Sequence, residues 1–284
     1  MKHSLQISLQ TLSIAYLALL FLAFFLLYYQ VIFRLVEYWE SNPNYSHGYF
    51  IPVLAAFMIW RKRQVIFGAA VNPSSFWGTM LILAGLCQVM VAAVGNQFFL
   101  LSTSMIIVLL GISLFFWGPA VAIKLLVPIV YLIFMIPLPS IIWNQLTFPL
   151  SLMASKAAAG LVDAIGLSIL REGNILYLPN VTLQVADACS GLRSLTMMLA
   201  LSALVSYLSQ LKRSLKLVIF FSAVPIALIG NVLRLTATAI LARYFGAAMA
   251  KGFIHEFSGW LIFLFGLVIL VALQSFLLER SRKN

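Results

Sequence analysis

The sequence predicts an all-α polytopic membrane protein with about eight transmembrane helices. Three observations carry that expectation. Hydrophobic residues fill 63% of the 284 positions and charged residues only 9%, more apolar surface than a soluble domain of this length can hide. Apolar runs of about 20 residues, the length that crosses a bilayer, recur along the chain. The basic residues cluster at the ends of those runs, so the formal net charge of +11 reads as a topology signal and not as a nucleic-acid footprint. Two cysteines exclude a disulfide framework or a Cys-based zinc site.

The runs are Leu12–Phe33, Ser46–Trp60, Phe76–Ala93, Phe98–Trp117, Ala120–Pro137, Cys189–Tyr207, Leu217–Leu241 and His255–Leu278. The first is long and lacks a small-residue cleavage site, so it is expected to stay as a span. The second is short. Pro119 and Pro137 punctuate the fifth. With the N-terminus inside, the cytoplasmic side collects Lys2, Arg61, Lys62, Arg63, Lys124, Lys212, Arg213, Lys216, Arg280, Arg282 and Lys283. The other side then receives Glu37, Glu40, Asp163, Glu172, Asp187 and Glu256. Both termini are therefore expected in the cytoplasm.

The chain is expected to form a single integral membrane domain over 1–284. Within it, 138–188 is the longest extracytoplasmic stretch. Pro149–Leu170 is helix-like, rich in small residues, and carries Lys156 and Asp163 one heptad apart. It is expected to lie in the membrane interface; a ninth span would misplace Lys212, Arg213 and Lys216. ILYL and VTLQV, either side of Pro179-Asn180, predict a small extracytoplasmic hairpin before the sixth helix.

Polar groups bordering a span are costly and so are functional candidates. Cys189 opens the sixth run and His255 the eighth, both from outside. Arg234 lies 17 residues into the seventh, about 25 Å into a core roughly 30 Å thick. Three separate runs thus bring a thiol, an imidazole and a guanidinium to one depth. A helix N-terminus and a nearby cation favour the thiolate, and Asp187 or Ser190 could cap that helix. Gly191 allows close approach of backbone or substrate. His255 can take and return a proton. Arg234 stays charged and suits a developing oxyanion, and Asn231, one turn earlier, could orient it.

Each residue also has a plainer reading. Cys87, among apolar neighbours, fits simple packing. Arg193 and Arg34 fit snorkelling, although Arg193 is near enough to Cys189 to serve as a second cation. His47, in Ser46-His47-Gly48, is a rival base or a structural hydrogen-bonder. Asp187 fits a cap, and Lys156 with Asp163 an interfacial pair. Two outer-face histidines and one cysteine make a poor zinc set, so neither metal nor cofactor is expected.

Cys189-Ser190-Gly191-Leu192-Arg193-Ser194, then Asn231-Val232-Leu233-Arg234, then His255-Glu256-Phe257-Ser258-Gly259 resemble the exosortase/archaeosortase family. So do Ser46-His47-Gly48 before Trp60-Arg61-Lys62-Arg63, and Arg171-Glu172-Gly173-Asn174 before the hairpin. The resemblance runs from the second span onward. It implies a cysteine-dependent membrane protease or transpeptidase in the inner membrane, with its active site at the extracytoplasmic face. Its substrates would be exported proteins with a C-terminal sorting tail: a short motif (typically Pro-Glu-Pro), a hydrophobic span and a basic end. The trait accompanies exopolysaccharide production. The resemblance also implies Cys189 as nucleophile, Arg234 as essential cation and His255 as third catalytic member, with membrane lipid and a lipid or glycan acceptor as further partners and no nucleic acid. Two other classes compete. A transporter or flippase would distribute polar residues through the full depth, and a non-catalytic scaffold would tolerate loss of Cys189.

Overall fold

The computed structural model describes residues 2–179, 181–184, 191–246 and 253–283, and the side chains of these except 2–17, 184, 253–258 and 283. Ten α-helices appear among them: α1 (Lys2–Ser41), α2 (Phe50–Arg61), α3 (Arg63–Phe67), α4 (Ser75–Val94), α5 (Phe98–Trp117), α6 (Pro119–Tyr131), α7 (Ser140–Ala164), α8 (Leu192–Leu208), α9 (Arg213–Phe245) and α10 (Phe253–Lys283). Two 3₁₀ turns, Pro43–Tyr49 and Leu132–Met135, precede α2 and follow α6.

Five helical segments among the described residues are long and apolar enough to cross a membrane: Ala18–Ser41, Ser75–Val94, Phe98–Trp117, Arg213–Phe245 and Gly259–Arg282. A sixth is reached if Pro119–Met135 and Ser140–Ala164, bent by 81°, form one broken span. Each of the eight apolar runs becomes helical among the described residues, but three fall short of a full crossing. α6, with 13 residues, reaches one only as part of that bent pair, and α2 and α8 are short by themselves. α2 has 12 residues, a rise of about 18 Å, because a 3₁₀ turn started by Asn42 and Pro43 takes the beginning of its run. α8 has 17 residues, about 25 Å; it begins only after Gly191, whose φ of 86° no helix continues through.

The main core forms where α1, α2, α5 and α6 meet. Tyr28, Val31, Leu35 and Trp39 recur along one stripe of α1 and bury against Ile51, Ala55 and Met58 of α2, Met105, Ile106 and Ile112 of α5, and Val121 and Leu125 of α6. Outward faces keep Leu22, Phe25, Phe33, Trp77 and Trp260 exposed, as a lipid-facing surface requires. α4 and α5 approach by way of glycine. A Cβ at Gly78 would stand 2.5 Å from Phe115 Cα, and one at Gly111 2.8 Å from Ile82. Small residues let membrane helices pack this closely.

The chain breaks after α6. Pro137 and Pro139 lack amide hydrogens and disfavour helix before them, and Ile136 is extended at φ −88°, ψ 124°. A break leaves backbone groups that lipid cannot satisfy. Side chains from the α1–α2 junction answer three of them. Trp39 Nε1 donates to Met135 O at 2.8 Å, His47 Nε2 donates to Phe134 O at 3.2 Å, and Tyr45 Oη accepts from Leu138 N at 2.9 Å. Gly48 lies beneath the Trp39 indole, where any Cβ would overlap the ring.

Beyond the break, α7 runs along α9. It starts at Ser140, nine residues before the helix expected from the sequence, and ends at Ala164. Three strands follow: β1 (Leu170–Glu172), β2 (Ile175–Leu178) and β3 (Val181–Gln184), an antiparallel meander in that order. β1 is a strand the sequence reading did not name. The meander buries Leu176, Leu178 and Val181 against Ala154, Ala158 and Val162 of α7 and Leu235, Ala239 and Ala242 of α9.

One end of the bundle gathers basic side chains. Lys62 Nζ donates to Tyr207 O at 2.6 Å, and Lys124 Nζ donates to Val65 O at 2.8 Å. Trp39, Tyr45, His47 and the helix break lie at the opposite end of α2 from Lys62, and α8 starts there.

Candidate active site

Gly191 is the N-cap of α8 and adopts φ 86°. A Cβ there would stand 2.9 Å from both Cγ and Nδ2 of Asn231. The start of α8 is therefore seated directly on the Asn231 carboxamide, and glycine is required for both the left-handed backbone and the missing Cβ. The contact is two residues after Cys189 in sequence. Asn231 is buried, at 3% exposure. Its side chain meets the backbone at the start of α8, one turn before Arg234 on the same helix. Ser194 Oγ donates to Gly191 O at 2.9 Å, beside the helical bond from Leu195 N.

Arg234 lies one turn further along α9 and is half-buried. Its Nη1 comes within 3.5 Å of the point where a Cβ of Gly259 would stand. One turn back, Gly230 packs on Ile262, with 2.8 Å from a Cβ position to Ile262 Cγ2. These two contacts fix α9 and α10 as antiparallel neighbours. Gly259 follows His255 by four residues, so their backbones share one face of α10 about 6 Å apart along the axis. The register thus brings the backbone of His255 within about one turn of the Arg234 guanidinium.

His47 reaches the same region from the 3₁₀ turn. Its Nε2 carries the hydrogen, because Phe134 O can only accept. Nδ1 is left with a lone pair, buried and without a hydrogen bond among the described atoms. Burial is the main force holding this imidazole below its ordinary pKa; the Phe134 bond opposes it, and the charge of Arg193 lowers it further. His47 is therefore neutral at neutral pH. The Arg193 effect also joins two remote segments, the turn before α2 and the first turn of α8. Tyr45 stacks beside His47, with ring centroids 6.1 Å apart, and burial pushes its phenol up to about 12, so it too stays neutral.

Of the sequence candidates, Asn231, Arg234, Arg193 and His47 all lie around the start of α8 and the adjoining turns of α9 and α10. Cys189 and Asp187 lie outside the described residues. His255 is described by its backbone in α10 and not by its side chain. Gly259 as a seat for the guanidinium was missed, although a glycine four residues after a candidate histidine was a readable signal. The carbonyls of Phe134 and Met135 were missed because backbone acceptors leave no mark in a sequence. No group of three His, Cys, Asp or Glu able to hold a metal ion exists among the described residues.

A family model described as Transmembrane exosortase (Exosortase_EpsH) matches residues 39–272, most of the chain. Comparisons with curated proteins and with solved structures returned no significant match. The matched range contains the helix break, the three-stranded meander and every candidate residue above. With its long apolar helices and that match, the chain is a multi-pass membrane protein and belongs to the transmembrane exosortase family.

Proposed function

We propose that the protein is a cysteine-dependent sorting protease or transpeptidase of the inner membrane. It recognises exported proteins by a C-terminal tail comprising a short motif, a transmembrane helix and a basic end. The observation that carries this reading is the meeting of three sequence-remote motifs: Gly191 on Asn231, and Arg234 against Gly259. Two residues of chain span at most about 7 Å, which bounds the distance of the Cys189 backbone from Gly191. The gathering of Lys62, Lys124 and Lys216 at the opposite end supports cytoplasmic termini and an extracytoplasmic site. It also supports residues 138–188, with α7 and the meander, as the extracytoplasmic segment.

The Cys189 thiolate attacks the carbonyl carbon of the scissile peptide. Arg234 stabilises the tetrahedral oxyanion, where a preorganised charge contributes most. His255 gives a proton to the departing amine as the C–N bond breaks. The C–S bond formed in the first step remains as a thioester. Water then yields a free carboxylate and the regenerated thiol. An amine or hydroxyl on a lipid or glycan acceptor instead yields an amide or ester and the same thiol.

Co-expression with a tail-bearing substrate tests this reading by substrate size. Processing is expected in the wild type and in Cys87→Ala, and is expected to stop in Cys189→Ala at equal membrane abundance. Cys87 is exposed on α4, away from the site. Continued processing by Cys189→Ala would remove the thioester mechanism and favour a transporter, flippase or scaffold.

A further inference from the structure

The outer edge of β3 pairs with nothing among the described residues, and it leads to the candidate site. Leu178 and Val181 are register partners across a two-residue connection, so they form a hydrogen-bonded pair. Alternation makes Leu176 and Leu183 the next such pair. The N–H and C=O groups of Thr182 and Gln184 therefore point away from β2, out of the sheet. β2 lies between β1 and β3, which leaves this side of β3 as a sheet edge. Exposed strand edges are templates for another extended chain.

The strand also has a direction. Its first residue, Val181, packs beside Ala239 and Ala242 of α9. Leu183 joins the cluster of Leu235 and Val232, the turn of α9 that adjoins Asn231 and Arg234. β3 thus descends α9 toward the Arg234 guanidinium. Cys189 lies five positions beyond its last residue, Gln184, at most about 18 Å of chain. Thr182 is exposed, so the face opposite α7 and α9 is open at this strand.

We propose that the β3 edge is the docking strand for the substrate: the extended segment just before the substrate's transmembrane tail adds to the meander as a fourth strand, hydrogen-bonded to Thr182 and Gln184. Main-chain pairing supplies binding that is independent of sequence. It holds the scissile segment extended, with its carbonyl carried toward Arg234. This rests on the peptidase reading above and adds where, and in what conformation, the peptide binds.

Two measurements test it. Thr182→Pro deletes one outward amide and spares the ladder to β2, a position where a strand tolerates proline. Processing of the tail-bearing substrate is expected to slow about tenfold, the loss of one well-made hydrogen bond, while Thr182→Ala stays near wild type. In the second, Thr182→Cys is placed in a Cys87→Ala, Cys189→Ala background. Single cysteines are then walked through the substrate segment before its hydrophobic span. Disulfide formation is expected at alternate substrate positions, the period of a paired strand. Equal processing by Thr182→Pro and wild type, or cross-linking without alternation, would overturn the docking strand and leave the peptidase reading intact. Absence of processing in the wild type would strike the peptidase reading, and the cross-links would still report on docking. If Thr182→Pro fails to accumulate, the cross-linking pattern alone decides.

Discussion

Lys62 and Arg234 are both cations bordering membrane helices, and their surroundings differ in kind. Lys62 donates to Tyr207 O near the end of α8 and lies 4.1 Å from the centre of the Tyr207 ring. Lys124 donates to Val65 O, and Arg63 to Trp60 O at 2.9 Å while lying 5.1 Å from the Trp60 ring. At that end each cation meets helix carbonyls and aromatic rings, the partners that anchor a helix end. At the other end the polar groups meet across helices, and glycine makes the room. Asn231 receives Gly191, Arg234 lies over Gly259, and Arg193 acts on His47. The first arrangement fixes where helices stop. The second brings distant segments to one place, which is what chemistry on a bound peptide requires.

That contrast is sharpest at Arg234. Arg234→Gln is expected to lower substrate processing by about 100- to 1000-fold, the range for removing an oxyanion stabiliser, with membrane abundance preserved. Lys62→Gln, at the anchoring end, is expected to leave the rate close to wild type. Equal losses in the two variants, measured by the same gel assay, would erase the distinction between the ends.

Gly191→Ala comes next. Its new methyl would meet Asn231 at 2.9 Å on a backbone with φ 86°, a combination expected to cost about 1–3 kcal/mol of stability. Denaturant unfolding in detergent should show it. Adding Asn231→Gly should recover the part due to the clash and not the part due to φ, a coupling that a double-mutant cycle reads directly. Full additivity would place the two residues apart.

His47 gives a smaller, pH-dependent effect. Its folded pKa lies below the ordinary value of 6.5, so the unfolded chain binds the proton more readily. The stability from a neutral His47 is present above about pH 6.5 and is lost as pH falls toward the folded pKa. The wild-type melting temperature is expected to fall on acidification through that window, and His47→Gln to flatten the slope. An unchanged slope would mean that other groups carry the acid sensitivity. The smallest effect is expected at the anchoring end: Lys62→Met should cost about 1 kcal/mol or less, read as a shift in melting temperature with processing unaltered.

Much of this protein was legible in its sequence. Hydropathy is a local property, so each of the eight apolar runs became a helix, and Phe98–Trp117 forms α5 with the same bounds. The candidate residues could be ranked by depth alone, because rise per residue is constant in a helix. Other features depend on segments far apart in the chain. The 81° bend after α6 persists because Trp39, Tyr45 and His47, some 90 positions away, satisfy the backbone it exposes. Asn231 meets Gly191, a contact that depends on the packing of α8 on α9. Glycine at 259 reads as a flexible residue in sequence and becomes a seat for a guanidinium only when α10 lies against α9. The sequence by itself determined which segments are helical and which polar groups are candidates for a site. Tertiary structure decided which of those groups meet, because a contact between helices depends on the relative rotation and register of both, and neither helix encodes that alone.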